Sequence, residues 1–312
     1  MIPGPDPVVI PESYETVPTK HIKVSHHPAG SKTATPVIIV TLNRPEKQNA
    51  FTSDMMHDIE KIYPMLDVDD RVKVIVLTGA GRSFCAGADL EIGFKTEKEN
   101  LREHRDGGGR VALTIYRCRK PTIAAMQGSA VGVGMTMTLP AAIRIAYEGG
   151  KYGFVFARRG IVMESSSSFF LPRLIGHSRA MYLVTTGGVF PPNSKHFGPL
   201  FAETYPQAAQ VLPRALELAT EIAENVSTLA TSLNYSLIWR NPDTAEGAHL
   251  VESHVLYHMF QGQDQTEGVT AFFEKRKPNF KASVEDAPPT VPWWTEVDTG
   301  NRHKAAKSQS KL

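Results

Sequence analysis

Short apolar runs alternate with amphipathic stretches over the first two-thirds of the chain. "HIKVSHH" and "PVIIVTL", separated by the turn-forming "PAGSKTAT", predict two strands. "TSDMMHDIEKIYPML" follows, with Met55, Met56, Ile59 and Ile62 at helical spacing behind a cap at Thr52 or Ser53. "KVIVLTGA" is apolar at successive positions and ends at glycine, the pattern of a strand buried on both faces. The polar, glycine-bearing stretch 93–109 predicts an irregular excursion, and "RVALTIYRCR" a helix after it. "PTIAAMQG", "AAIRIAYEG" and "KYGFVF" read as further strands, with a helix beginning near Gly132. Strands and helices thus alternate to about residue 204, which predicts an α/β core. The expected organisation is an extended proline-rich arm (1–20), the core (21–206), a helical region (207–280) and a tail (281–312) in which order fades from Pro278 on.

Composition narrows the function classes. A chain of 312 residues, 41% hydrophobic and 21% charged, is long enough to bury a substantial core. Its 34 basic and 32 acidic side chains leave a net charge of +2, which argues against a sequence-blind nucleic-acid binder. Two cysteines, Cys85 and Cys118, are too few for a disulfide framework and suit a reducing compartment. No apolar run approaches the ~18 residues of a membrane span, and the N-terminus lacks the layout of a secretory signal. The final Ser310-Lys311-Leu312, behind the polar "VDTGNRHKAAKSQ", predicts a peroxisomal address read by an import receptor.

Five segments carry more specific information: "VTLNRPEKQNAF", "VIVLTGAGRSFCAGADL", "KPTIAAMQGSAVGVGMTM", "GIVMESSSSFFLPRLIG" and "FFEKRKPNF". In this order they resemble the crotonase (enoyl-CoA hydratase/isomerase) superfamily. The resemblance implies a ClpP-like spiral of ββα units with a C-terminal helical region that builds homotrimers, often paired into hexamers. It also implies an acyl-CoA thioester substrate, with coenzyme A as part of that substrate and no separate cofactor or metal. Members of the family pass through an enolate-like state whose oxygen is held by two backbone N–H groups. By position these fall on Ala88 and Val133. The small neighbours Ala86, Gly87 and Gly132 permit close approach of substrate to backbone. Val133 departs from the glycine usual there, and a helix beginning near Gly132 is expected to add its dipole.

The acids depart further. The resemblance places the two glutamates of hydratases at Thr136 and Phe156, neither of which is an acid. Glu164 instead occupies the station of the single catalytic acid in Δ3,Δ2-enoyl-CoA isomerases. Taken by itself, a glutamate before four serines reads as an exposed helix-start residue. With the resemblance it reads as a base whose pKa is raised by Val162, Met163, Phe169 and Phe170, while the serines hydrogen-bond locally, cap a helix and keep the turn compact. The expectation is an isomerase moving a β,γ double bond into conjugation. Hydration, on an ordinary or a specialised acyl-CoA, and acyl-CoA binding without chemistry are the alternatives.

Other motifs rank lower. "TGAGRSF" fits no phosphate loop, the serines sit in no GxSxG elbow, and "HVLYH" lacks the glutamate of HExxH. Asp89 and Leu90 are expected beside the substrate, Asp89 chiefly bracing its turn. Lys47 and Lys277 are the candidates for the CoA phosphates, against a reading as solvated surface lysines.

Overall fold

The computed structural model describes residues 8–93 and 101–299. The expected import signal, Ser310-Lys311-Leu312, lies outside the described residues, as does part of the 93–109 excursion.

Ten strands form two sheets. They are β1 (Ile22–His27), β2 (Val37–Leu42), β3 (Val74–Gly79), β4 (Ser83–Cys85), β5 (Thr122–Met126), β6 (Ser129–Val131), β7 (Ile143–Tyr147), β8 (Tyr152–Gly153), β9 (Val189–Phe190) and β10 (Glu203–Tyr205). The larger sheet runs β1-β2-β3-β5-β7-β10 and the smaller β4-β6-β8-β9. Only the β1–β2 and β8–β9 pairs are antiparallel. Each pair β3/β4, β5/β6 and β7/β8 therefore gives one strand to each sheet before the chain moves on. This is the turn of a ββα spiral, as the family resemblance implies. The central strands β3 and β5 are buried at every position, while β1 at the edge alternates buried and exposed residues.

Nine α-helices are described: α1 (Ser53–Val68), α2 (Gly107–Arg117), α3 (Val133–Thr136), α4 (Ser167–Ile175), α5 (His177–Thr186), α6 (Ala208–Asn225), α7 (Thr228–Trp239), α8 (Ala245–Met259) and α9 (Gln263–Glu274). Thr52 caps α1 by accepting from the Met55 amide, and Met55, Met56, Ile59 and Ile62 are buried beneath it. The core between the sheets and α1, α2 and α4 includes Ile38, Leu77, Phe84, Met126 and Phe170. Among the described residues no helix is long and apolar enough to cross a membrane.

Several elements differ from the sequence reading. Residues 107–109, assigned to the irregular stretch, form the first turn of α2. α3 is a single turn, so the dipole expected at Val133 is that of one turn rather than a full helix. α6 buries Val211, Ala215, Ala219 and Ala223 against the larger sheet, so by packing it belongs with the core. The proline-rich arm is anchored by Tyr14, whose buried hydroxyl donates to Asp69 at 3.0 Å. Order also persists past Pro278: Val284 is buried, Ala287, Val291 and Trp293 join the α7–α8 cluster, and Trp293 Nε1 donates to Arg240 O at 2.9 Å.

Candidate active site

The parallel pairing of β4 with β6 (Ser83 with Ser129, Cys85 with Ala130) sends two loops out side by side. Gly87 in the first has φ +95°, and a Cβ there would lie 3.1 Å from Val131 O. Gly132 in the second has φ +55°, and its Cβ would lie 4.0 Å from Gly87 Cα. Both glycines therefore supply left-handed backbone where the two loops touch. Phe51 N–H donates to Gly87 O (2.8 Å) and Asp89 N–H to Phe51 O (3.0 Å). This parallel bridge uses the groups on either side of Ala88 and leaves the Ala88 N–H unengaged. Val133 opens α3, where an N–H has no acceptor four residues back. Among the described residues neither amide donates a hydrogen bond. Two adjacent loops thus each present one N–H that no described protein group engages.

Asp89 is spent on bracing. Its carboxylate accepts from Arg44 Nη1 at 2.9 Å and from the Glu91 amide at 3.1 Å, and the guanidinium holds its carboxyl below the usual range. The Ala86 amide donates to Gln48 O at 3.1 Å, fixing the other end of the same loop.

Glu164 leaves the chain just before α4. Its Oε1 accepts from Thr136 Oγ1 at 2.6 Å and its Oε2 from Ser165 Oγ. Its carbonyl accepts from Ser167 N–H at 2.9 Å and Ser167 Oγ at 2.5 Å. Ser165 and Ser166 both adopt left-handed backbone, with φ of 57° and 51°. Side chains at such positions cost about 1–3 kcal/mol each, and this kind of strain persists where the surroundings over-determine it. The expected capping role is not what the serines do. Ser166 stands at the N-cap of α4 but makes no side-chain cap bond, whereas Ser165 and Ser167 hold Glu164. Burial pushes the Glu164 carboxyl up to about 7, against the opposing hydrogen bonds from Ser165 and Thr136 and with help from the charge of Asp106. A carboxyl near 7 is matched to taking up and returning a proton at neutral pH.

Two further residues close this side, and the sequence reading named neither. Asp106 caps α2 by accepting from Gly109 N–H at 2.5 Å, and the same Oδ1 accepts from Ser165 N–H at 3.2 Å. Gly108, in the first turn of α2, leaves the space that the Glu164 carboxylate fills; a Cβ there would collide with Glu164 Oε2 and Ser165 Oγ. The signal was "RDGGG", an acidic cap followed by three glycines at the head of a helix that gains nothing from them in propensity.

The remaining expected positions are dispersed. Thr136, read only as a lost acid, is fully buried and donates to Glu164 Oε1. Phe156 is buried with its ring beside Gly132. Leu90 is 60% exposed. Lys47 pairs with Glu91 at 2.7 Å and Lys277 with Glu224 at 2.5 Å, both at the surface, so an incoming phosphate would compete with these carboxylates. Among the described residues no three His, Cys, Asp or Glu side chains converge into a metal-binding group.

Known proteins resemble this chain in sequence and in fold. The model of the enoyl-CoA hydratase/isomerase family matches residues 32–283. "Enoyl-CoA hydratase ACTT3" of Alternaria alternata is 48% identical over 250 residues, covering 80% of this chain and 84% of that protein. The "1,2-epoxyphenylacetyl-CoA isomerase" of Escherichia coli is 30% identical over 261 residues, 78% of this chain and 94% of that protein. Among solved structures, a probable enoyl-CoA hydratase/isomerase from Mycobacterium abscessus superposes with a TM-score of 0.74 at 32% identity, covering 79% of this chain and 96% of that one.

Proposed function

Because the chain belongs to the enoyl-CoA hydratase/isomerase (crotonase) family, we propose that it is an isomerase moving a β,γ double bond of an acyl-CoA to the α,β position. In this reading the Ala88 and Val133 N–H groups receive the thioester oxygen. Glu164 takes the proton from Cα; the electron pair of that C–H bond moves into the conjugated system and charge collects on the oxygen as a dienolate. Glu164 then returns the proton to Cγ, the double bond settles between Cα and Cβ, and the enzyme regains its starting state. One carboxylate over one face of the substrate is sufficient. Supporting the reading above all is the partly buried Glu164 carboxyl, raised to about 7, while positions 136 and 156 hold no acid. Glu164→Gln is expected to abolish isomerisation of a 3-enoyl-CoA while acyl-CoA still binds, read by calorimetry; near-normal turnover refutes the assignment.

Hydration is the second reading. The name of the Alternaria relative favours it, as does a second carboxyl, Asp106, beside Glu164. There Glu164 would activate a water rather than shuttle a substrate proton, and 3-hydroxyacyl-CoA would be the product. Self-association is supported by exposed Leu256, Tyr257, Phe260, Phe272 and Phe273 on and beside α8 and α9. A homotrimer or hexamer in light scattering is the expected outcome, and a monomer at micromolar concentration counts against it.

A further inference from the structure

Asp106 does more than end a helix. Its Oδ1 accepts from two backbone amides on different elements, Gly109 in α2 (2.5 Å) and Ser165 beside Glu164 (3.2 Å). One carboxylate thus ties the start of α2 to the loop that carries the base. That second amide belongs to the residue next to Glu164, so the Asp106 carboxyl stands beside the segment that carries the base.

The donors around the two acids differ in kind. Those on Asp106 are N–H groups, which can only donate and so require Oδ1 to be an acceptor. Those on Glu164 are the hydroxyls of Thr136 and Ser165, which rotate to donate to a carboxylate or to accept from a carboxylic acid. Glu164 is thus served by partners that suit either of its forms, while Asp106 is held in place by main-chain donors. We propose that Asp106 is a positioning residue: by holding the Ser165 amide it keeps its carboxyl paired in space with Glu164, and so sets the pH at which Glu164 becomes a base.

Among the described residues, the Cys85 thiol of β4 also faces Glu164. Burial pushes that thiol up to about 12, so it stays neutral through the working range. From α3 comes Thr136, which does not titrate. Burial is the larger cause that raises the Glu164 carboxyl, and the charge of Asp106 adds to it.

The test is a pH profile on the full-length protein. Its kinetic arm rests on the proton shuttle proposed above. Asp106→Asn keeps an oxygen for the Gly109 and Ser165 amides but removes the charge, and Asp106→Ser keeps a helix cap alone. In both, the acid limb of kcat/KM is expected to move down by roughly one pH unit. A uniform fall in kcat with the limb unmoved marks Asp106 as merely structural and overturns the proposal. A second arm needs no turnover: pH-difference infrared spectra follow the Glu164 carboxyl band, identified by its loss in Glu164→Gln. A midpoint that drops in both Asp106 variants supports the pair even if the isomerase reading fails. An unshifted midpoint in whichever variant folds overturns the pair whatever reaction the enzyme performs.

Discussion

Gly108→Ala puts a single methyl group against the base. The new Cβ falls on Glu164 Oε2 and Ser165 Oγ. Neither has an easy retreat, because Oε1 is held by Thr136 at 2.6 Å and Ser165 is buried in a left-handed conformation. Two opposing effects act on stability. Alanine in place of glycine in a helix gains about 0.5–1 kcal/mol. Overpacking costs about 1–3 kcal/mol, for a net loss of at most about 2.5 kcal/mol. Catalysis has no such compensation. Displacing a reacting group by roughly 1 Å costs about 100-fold in rate, or about 2.7 kcal/mol of barrier. The oxyanion loops lie on other elements, so KM should change little. Steady-state kinetics on a 3-enoyl-CoA together with a thermal melt separate the effects: kcat falls about 100-fold while the melting temperature shifts by a few degrees. An enzyme with kcat close to wild type would show that Glu164 does not depend on the space Gly108 leaves, and would refute the reasoning.

Other perturbations test neighbouring parts of the site. Thr136→Val removes the hydroxyl bonded to Glu164 Oε1, and since that bond favours the charged form, the acid limb of kcat/KM should move to higher pH; a shift downward would contradict the assignment. Ser165→Gly relieves the left-handed strain and should raise the melting temperature while lowering kcat, because Glu164 loses a donor; a gain in both would show that the serine hydroxyl is dispensable. Arg44→Ala strands Asp89 in the Ala88 loop and should lower the melting temperature at neutral pH. Because the Asp89 carboxyl is depressed in the fold, its contribution is present above the unfolded pKa and lost as pH falls through the folded one, so the wild-type advantage should shrink in acid; melts across pH check this.

Central strands were the most legible part of the sequence, because burial on both faces leaves an unbroken apolar run such as "VIVLTG". The loops at Ala88 and Val133 were legible through the family resemblance, with small residues there that permit close approach to the backbone. What escaped were positions where tertiary contact overrides local preference. Three glycines argue against a helix, yet Gly107–Gly109 open α2. A Cβ at 107 would press Met56 at 3.2 Å, one at 108 would hit Glu164, and one at 109 would lie 2.5 Å from Asp106 Oδ2. The serine run suggested capping by composition, whereas its left-handed backbone and its bonds to Glu164 exist only once α2, α3 and α4 meet. Likewise, residues 278–299 read as a fading tail, because prolines and charges hide the few apolar anchors that dock beside α7 and α8. Glu164 itself was legible only through the family resemblance, since nothing local distinguishes it from a solvated acid.

The most direct test of the central claim follows the substrate in D2O. Purified protein is incubated separately with a 3-enoyl-CoA and a 2-enoyl-CoA, and the products are read by mass spectrometry with the double bond located by fragmentation. A one-carboxylate shuttle predicts migration between the 3- and 2-positions, with deuterium appearing at Cα or Cγ and no gain of water. Accumulation of 3-hydroxyacyl-CoA from the 2-enoyl substrate, with no migration from the 3-enoyl one, would contradict it.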